Sequence, residues 1–302
     1  MKVASFYRFL DLEDPEGFSR RLQALCEELQ LLGTVLVAAE GFNGSLAGDE
    51  KSVRRVFSWI EEALGLDGSI EARWNDVSEA PFRRLRVRLK KEIVTLGRPD
   101  ILPHKKTGTY VEGERWNELI NDPDVIVIDT RNHYEYEVGS FPRAVDPQTD
   151  SFREFPAFAE KLATTAKDRP LAMFCTGGIR CEKATALMLE LGFEQVYHLQ
   201  GGILKYLEEM PPESNQWDGE CFVFDTRVAV DRDLAEGGYV QCHACRRPLS
   251  MEDLASKDYQ EGVSCPKCIG ELDRDRAARL EERAKQVELA EQRGERHIGP
   301  KP

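Results

Sequence analysis

One stretch of the chain combines a cysteine with the features that make a thiol reactive. Cys175 follows an apolar run, Gly177 and Gly178 come next, and Arg180 stands just beyond them. This pattern predicts a strand that ends at the cysteine, a tight loop, and a helix that begins near the arginine. The loop amides, the helix N-terminus and the guanidinium would stabilise a thiolate. We interpret Cys175 as a nucleophile, since a buried packing cysteine would leave the glycines and the arginine unexplained.

Four other cysteines have the spacing of a metal site. They form two Cys-x-x-Cys pairs with 19 residues between them, and the four are Cys242, Cys245, Cys265 and Cys268. This spacing predicts a tetrahedral four-thiolate zinc site, closed by its ligands and therefore structural. His243 could replace one ligand, but the four cysteines already complete the set, and we expect it to be a bystander. Two redox-active pairs are the alternative, but they would need a thioredoxin-like context that the sequence does not show.

A basic segment lies in the first third of the chain. On a strand over residues 83–91, alternate side chains share one face. The basic face would carry Arg84, Arg86, Arg88 and Lys90, and the core face Leu85, Val87 and Leu89. Such a stripe could follow an RNA backbone. The alternative is a solvated face that nearby carboxylates neutralise.

Hydropathy periodicity divides the chain into an α+β part and an α/β part. Residues 1–96 predict two amphipathic helices among short strands, in the order β-α-β-β-α-β of a ferredoxin-like domain, with a tight turn at Glu40–Gly44. Residues 97–112 contain several prolines and glycines and predict a linker. Over residues 113–218, apolar strands alternate with helices, which predicts an open parallel α/β sheet.

The remaining segments are organised around the cysteine pairs. Residues 219–272 have few large apolar side chains and predict short β segments that the metal holds together. Residues 273–302 are almost all charged or small, which predicts a solvated helix or a disordered tail. The whole is a multidomain α/β and α+β protein.

Charge and hydropathy exclude several classes of protein. The net charge is −13, and residues 113–218 hold 19 acidic against 10 basic residues. This argues against a general nucleic-acid binder but leaves room for a local basic face. No apolar run approaches the roughly 20 residues of a membrane span. Early charges also interrupt any signal-peptide core. We therefore expect no membrane association and a cytoplasmic location.

The loop and its neighbours resemble a known domain. With Asp129-Thr130-Arg131 and Glu135 on the preceding strand and turn, the Cys175–Arg180 loop resembles that of rhodaneses, whose cysteine carries a persulfide. Protein tyrosine phosphatases have five residues between cysteine and arginine, not four. Residues 3–270 resemble one subfamily, the tRNA uridine hydroxylases with a rhodanese domain. Four runs carry this resemblance, namely Asp129–Gly139, Cys175–Lys183, His198–Ile203 and Ala39–Gly44. Phe42, where an aliphatic residue is expected, and Ser140, where rhodaneses often have histidine, depart from the pattern.

The resemblance implies roles for particular residues. Cys175 would be the reactive thiolate, Arg180 would orient the loop, and Asp129 and Arg131 would brace it from the neighbouring strand. The rest of the binding loop would be Thr176, Gly177, Gly178 and Ile179. Cys181 would either resolve an oxidised Cys175 or face the helix interior.

The resemblance also implies an activity, the oxygen-dependent hydroxylation of the wobble uridine of tRNA to 5-hydroxyuridine. Dioxygen would be the co-substrate and tRNA the partner. The sequence shows no Gly-x-Gly-x-x-Gly after a strand and no histidine–carboxylate cluster, so no organic cofactor or iron site is evident.

Two other functions remain open at this point. A plain sulfurtransferase would move sulfane sulfur from thiosulfate to an acceptor, and the basic strand and first domain argue against it. A non-catalytic RNA-binding scaffold would have an inert rhodanese domain, and the intact Cys175–Arg180 loop argues against that.

Overall fold

The computed structural model describes residues 1–66, 68–77, 81–225 and 227–294. Its first part is a five-stranded sheet with two helices, made of β1 (Lys2–Phe9), α1 (Pro15–Glu28), β2 (Leu32–Ala38), β3 (Gly41–Gly48), α2 (Glu50–Leu64), β4 (Ala72–Asp76) and β5 (Leu85–Leu89). The strand order is β4-β1-β3-β2-β5, and only the β2–β5 pair is parallel. This agrees with the predicted ferredoxin-like order.

The local sequence explains how these helices begin and end. Asp14 accepts a hydrogen bond from the Gly17 amide ahead of α1, and Asp49 accepts from two amides at the start of α2. These caps satisfy donors that the first turn leaves free. Gly65 ends α2 in the left-handed conformation, as a C-terminal glycine commonly does.

The Glu40–Gly44 segment is not the tight turn that its glycines suggest. The chain turns at Ala39 and Glu40, and β3 begins already at Gly41. Phe42 is fully buried on this strand and stacks 6.1 Å from Phe18 beneath the helices. A phenylalanine therefore fills the core where an aliphatic residue was expected.

The second part is a parallel sheet that helices cover on both faces. Its strands are β6 (Thr109–Val111), β7 (Ile126–Asp129), β9 (Leu171–Phe174) and β10 (Val196–Leu199), and its helices are α3 (Gly113–Asn121), α4 (His133–Tyr136), α5 (Phe155–Ala163), α6 (Ile179–Glu190) and α7 (Gly202–Glu209). A short β8 (Gly139–Ser140) lies outside this sheet. The order is β6-β10-β9-β7. Residues 109–111, which the sequence places in the linker, form the edge strand beside β10.

A buried cluster of charges joins these two parts. The Lys183 ammonium on α6 lies 2.5 Å from the Glu40 carboxylate and 2.8 Å from that of Glu92. All three side chains are buried, and the Glu40 and Glu92 carboxylates also accept backbone amides. Phe9 and Ile179 pack beside them. Removing one member of such a cluster typically costs about 3–5 kcal/mol, because a buried charge is left without its partner, so the cluster fixes how the first sheet meets α6.

The first residues of the third part pack into the core of the second part. The elements are β11 (Asp218–Gly219), β12 (Cys221–Phe222), β13 (Ala229–Val230), β14 (Val240–Gln241), β15 (Pro248–Leu249), α8 (Met251–Ala255) and α9 (Arg274–Gln292). β11 pairs with β8, and Cys221, Val223 and Val230 pack into the core of the second part. The cysteine-rich unit proper therefore starts later than residue 219.

The charged tail is helical as far as it is described. The first turn of α9 packs on the cysteine-rich unit, where Arg276 donates to the Ala244 carbonyl at 3.5 Å. Disorder is predicted for residues 293–302. Arg293 caps the end of α9 in the structure, and residues 295–302 lie outside the described residues. In the described part of the chain, no helix has the length and apolar character needed to cross a membrane.

Candidate active site

The Cys175 loop has the predicted strand–loop–helix geometry. β9 ends at Phe174, and α6 begins at Ile179. Gly178 has a φ of +96°, and its amide donates to the Cys175 sulfur at 3.1 Å. A Cβ atom at this position would lie 2.8 Å from the Tyr7 hydroxyl. The loop therefore needs glycine here both for its conformation and for the close approach of the first domain.

Cys175 is set up as a thiolate. Its side chain is buried, which raises the pKa of the thiol. Hydrogen bonds from the Cys181 thiol and from the amides of Cys181 and Gly178, together with the charge of Arg180, outweigh burial and lower the pKa of Cys175 to about 6. The sulfur is then mostly ionised at neutral pH, and the thiolate is the reactive form.

Cys181 lies in the core and faces Cys175. It is fully buried, and its sulfur lies 3.4 Å from the Thr130 hydroxyl. Burial and the hydrogen bond to Cys175 raise the pKa of Cys181 well above the ordinary thiol value. Cys181 is therefore protonated and donates to the thiolate. Its burial agrees with the helix-interior alternative, and the resolving of an oxidised Cys175 stays a prediction.

Arg180 is held by a carboxylate from the preceding strand and turn. Its guanidinium makes two hydrogen bonds to Glu135, at 2.6 and 2.8 Å, and one to the Thr176 hydroxyl at 3.3 Å. The Glu135 carboxylate also accepts the Asn132 amide and so caps α4. Glu135 thus fixes Arg180 beside the loop. The motif includes Glu135, but the sequence alone does not show that the two side chains pair.

Asp129 and Arg131 do not contact the loop. They form a fully buried ion pair, and Arg131 also donates to the Gly139 carbonyl. Asp129 pairs with Phe174 at the end of β9, and the Arg131 guanidinium carbon lies 5.8 Å from the centre of the Phe174 ring. Thr130 between them donates its amide and hydroxyl to the Phe174 carbonyl at 2.9 and 3.0 Å. The bracing role expected of Asp129 and Arg131 stays a prediction, and these contacts would act on the loop through Phe174, the residue before Cys175.

The N-terminus of α7 holds the far side of the loop. The Ile203 and Leu204 amides donate to the carbonyls of Cys175 and Thr176, at 2.9 and 3.1 Å. A Cβ atom on Gly202 would lie 2.4 Å from the Cys175 carbonyl oxygen. The Gly-Gly-Ile run at 201–203 is thus explained by this close backbone approach.

Removing the Cys181 thiol is expected to raise the pKa of Cys175 from about 6 toward the ordinary thiol value of about 8.5, because the thiolate loses a donor. Cys181→Ser retains a hydroxyl donor and should have a smaller effect than Cys181→Ala. The measurement is thiolate absorbance against pH, with Cys175→Ser subtracted as the blank. Equal titration curves for wild type and Cys181→Ala would contradict this role.

The four cysteines of the two pairs meet at one point. Their sulfur atoms all lie within 4.8 Å of one another, and three of the four residues are buried. The donor set is purely thiolate, and a compact group of four thiols fits a single ion. This cluster could therefore hold a metal. His243 is exposed between the first two cysteines.

The basic side chains of β5 lie on the face of the first sheet that is turned toward the Cys175 loop. Tyr7, Asn43, Leu36 and Arg88 stand opposite one another across four strands, and Arg86 lies two residues before Arg88. The Tyr7 hydroxyl donates to Glu182 on α6 at 2.6 Å. The arginines thus lie on the face that turns toward the Cys175 domain.

The structure also places the ends of this strand. Arg84, Arg88 and Lys90 are exposed, whereas Arg86 is half-buried. Leu89, expected on the core side, is 46% exposed, because β5 is an edge strand and its last residue lies outside the core that Leu85 and Val87 join.

A parallel α/β domain with an ionised cysteine in a Cys-x4-Arg loop defines a rhodanese-type domain. Family models agree, since residues 114–209 match the rhodanese-like domain and residues 1–93 match the UPF0176 acylphosphatase like domain. The chain is 50% identical over 297 residues to the tRNA uridine(34) hydroxylase of Teredinibacter turnerae, which covers 98% of this chain and 92% of that protein. The chain belongs to the tRNA uridine(34) hydroxylase family.

Solved structures match single domains of the chain. A rhodanese-related protein from Thermoplasma volcanium is 23% identical, over 34% of this chain and 95% of its own, with a TM-score of 0.29. An acylphosphatase from Coxiella burnetii is 19% identical, over 29% of this chain and 90% of its own, with a TM-score of 0.22.

Proposed function

We propose that this protein hydroxylates uridine 34 of tRNA to 5-hydroxyuridine, with dioxygen as co-substrate and Cys175 as the reactive group. The observation that carries the proposal is the ionised Cys175 in a chain that is half identical to a tRNA uridine(34) hydroxylase. A tRNA substrate implies a cytoplasmic location.

The loop stabilises the Cys175 thiolate and leaves one side open through which a substrate can reach it. At neutral pH an ordinary thiol is only a few per cent ionised, whereas a pKa of about 6 leaves Cys175 mostly ionised. The sulfur itself is buried, but Gly177 beside it is exposed, and a Cβ atom there would meet nothing within 4 Å. Substrate would therefore reach the loop at Gly177.

The test is nucleoside analysis of tRNA from a strain that lacks the gene. Loss of 5-hydroxyuridine and its derivatives, restored by the wild-type gene, is the expected result. Unchanged nucleosides together with lost thiosulfate sulfurtransferase activity would instead assign the loop to sulfur transfer.

We assign the four-cysteine cluster to structural zinc. Cys242, Cys245, Cys265 and Cys268 would be the ligands, and four thiolates leave no open position for a substrate. When bound, the metal would tie the two halves of this small unit together and take no part in the reaction at Cys175.

For tRNA binding we assign Arg84, Arg86, Arg88 and Lys90. Arg86→Glu with Arg88→Glu is expected to weaken tRNA binding about tenfold or more, because two cations become anions beside the phosphate backbone. The slope of log affinity against log salt should fall by about one for each lost phosphate contact. Binding isotherms across a range of salt concentrations give both quantities.

The matched control is Arg20→Glu with Arg21→Glu. These exposed arginines lie on α1, on the helix-covered side of the same sheet, and the change in net charge is identical. Equal weakening by the two pairs would show a general charge effect and would remove the basic strand from the tRNA-binding surface.

A further inference from the structure

Exposed aromatic rings are concentrated at the rim of the Cys175 loop. The chain has 14 phenylalanines, eight tyrosines and four tryptophans. Among the aromatic side chains of the described residues, only Phe224 and Tyr110 are strongly exposed, at 70% and 46%. Single exposed apolar residues are ordinary. Two rings at the border of one loop, with the other aromatic side chains at least partly buried, need an explanation.

Phe224 borders the loop on the Arg180 side. The Arg180 guanidinium carbon lies 5.9 Å from the centre of the Phe224 ring, within the range of a cation–π contact. The ring also meets the buried Phe222 edge-on, with centroids 5.1 Å apart. One part of the Phe224 ring is therefore supported by the protein, while most of it faces solvent beside the loop.

Tyr110 borders the loop on the Glu182 side. Its ring packs 4.2 Å from the buried His198 ring, which is itself held by a contact of 3.2 Å with the Gly108 carbonyl. The Tyr110 hydroxyl faces the Glu182 carboxylate that Tyr7 also contacts. The ring is thus fixed at its base and exposed at its rim.

The two rings flank the first turn of α6. Phe224 contacts Arg180 and Tyr110 faces Glu182, and these residues stand on either side of Cys181 in the first turn of the helix. Gly177, the open point of the loop, lies three residues before Arg180. A planar group that approaches Cys175 through this opening would pass the two rings.

We propose that Phe224 and Tyr110 are base-stacking residues. They would hold the unpaired target pyrimidine and the bases next to it in the substrate RNA over the Cys175 loop. This inference rests on the proposed function and adds the residues that bind the bases. Base pairs hide the faces of a base, so an enzyme that modifies a base acts on one that is unpaired or extruded. Aromatic side chains are the usual partners of such bases.

The charge around the rings favours RNA as the occupant. Arg86 and Arg88 lie on the sheet face whose other end carries Tyr7 beside Glu182. Cations for the backbone and exposed rings for the bases are the two components of single-stranded nucleic-acid sites, and here both lie on the side of the first sheet that faces the Cys175 domain. An apolar protein partner would not need the neighbouring arginines.

The experiment measures binding of an anticodon stem-loop RNA with uridine at position 34 by the full-length protein. Phe224→Ala and Tyr110→Leu are each expected to weaken binding by about tenfold or more, the usual cost of losing one stacked base. Phe224→Tyr and Tyr110→Phe preserve the rings and should bind as wild type does. Met251→Ala removes an apolar side chain of equal exposure on α8, far along the chain, and should have no effect.

A second arm repeats the measurement with stem-loops abasic at position 34 or at its two neighbours. For each ring, one of these RNAs should abolish the difference between wild type and variant, because the stacked base is already missing. Wild-type affinity in both Phe224→Ala and Tyr110→Leu would overturn the inference. So would a loss that is the same on every abasic RNA.

The two proposals fail in different ways. If the deletion strain kept its 5-hydroxyuridine while ring variants still lost base-dependent binding, the stacking site would stand and the proposed function would fall. Phe224 is 70% exposed, and Tyr110→Leu keeps an apolar side chain against His198, so thermal unfolding of both variants should stay close to that of wild type. This measurement separates lost stacking from lost folding.

Discussion

Cys175→Ser is expected to abolish hydroxylation of uridine 34 and to leave the protein folded. Serine is close to cysteine in size, so the loop and its amide contacts are kept. Its hydroxyl does not ionise at neutral pH, whereas the Cys175 thiol, with a pKa of about 6, does. The variant therefore removes the anion and little else. The measurement is tRNA nucleoside content in the deletion strain carrying the variant gene.

Cys26→Ser is the matched control for this change. Cys26 is also fully buried, in the core of the first domain, but burial raises the pKa of this thiol to about 12, so it is protonated at neutral pH. The same atom exchange there should keep the modification. Wild-type levels of 5-hydroxyuridine in the Cys175→Ser strain would refute a thiolate mechanism.

The Cys175 loop was predictable because its signals are local. An apolar strand, two glycines and an arginine within a few residues specify strand, loop and helix. The metal site was predictable for the same reason, because the two cysteines of each Cys-x-x-Cys pair lie in one short turn. Alternation along 83–91 likewise placed Arg86 and Arg88 on one face, and it failed only at Leu89, where the edge of the sheet leaves the core side uncovered.

Contacts between distant segments could not be predicted in this way. Lys183 belongs to the motif around Cys175, yet its partners Glu40 and Glu92 lie more than 90 residues earlier and meet it only in the folded chain. Glu135 beside Arg180 is a similar case. Thr130, the residue just after β7, lies 3.4 Å from the Cys181 sulfur and donates to the Phe174 carbonyl, two further contacts with a segment more than 40 residues away.

Removal of zinc is expected to unfold the cysteine-rich unit. The protein should contain about one zinc ion per chain, and Cys265→Ser should release it. Among the described residues of this unit, Leu249 and Val263 are the buried aliphatic side chains, with Leu254 and Tyr259 half-buried. Burial of so few side chains cannot hold a unit of this size. Metal binding contributes about 10–16 kcal/mol to the folding of small thiolate sites, so this unit should unfold without it.

The structure also fixes where that unfolding should stop. Cys221, Val223 and Val230 pack into the core of the rhodanese domain, and β11 pairs with β8, so residues up to about 230 should stay folded in Cys265→Ser. Limited proteolysis should therefore cut the variant beyond residue 230 and leave a fragment that contains both larger domains. His243→Ala, which removes an exposed non-ligand next to Cys242, should keep the metal and resist the protease. Elemental analysis of gently purified wild-type protein that found no metal, or a Cys265→Ser protein as resistant as wild type, would show that burial alone suffices.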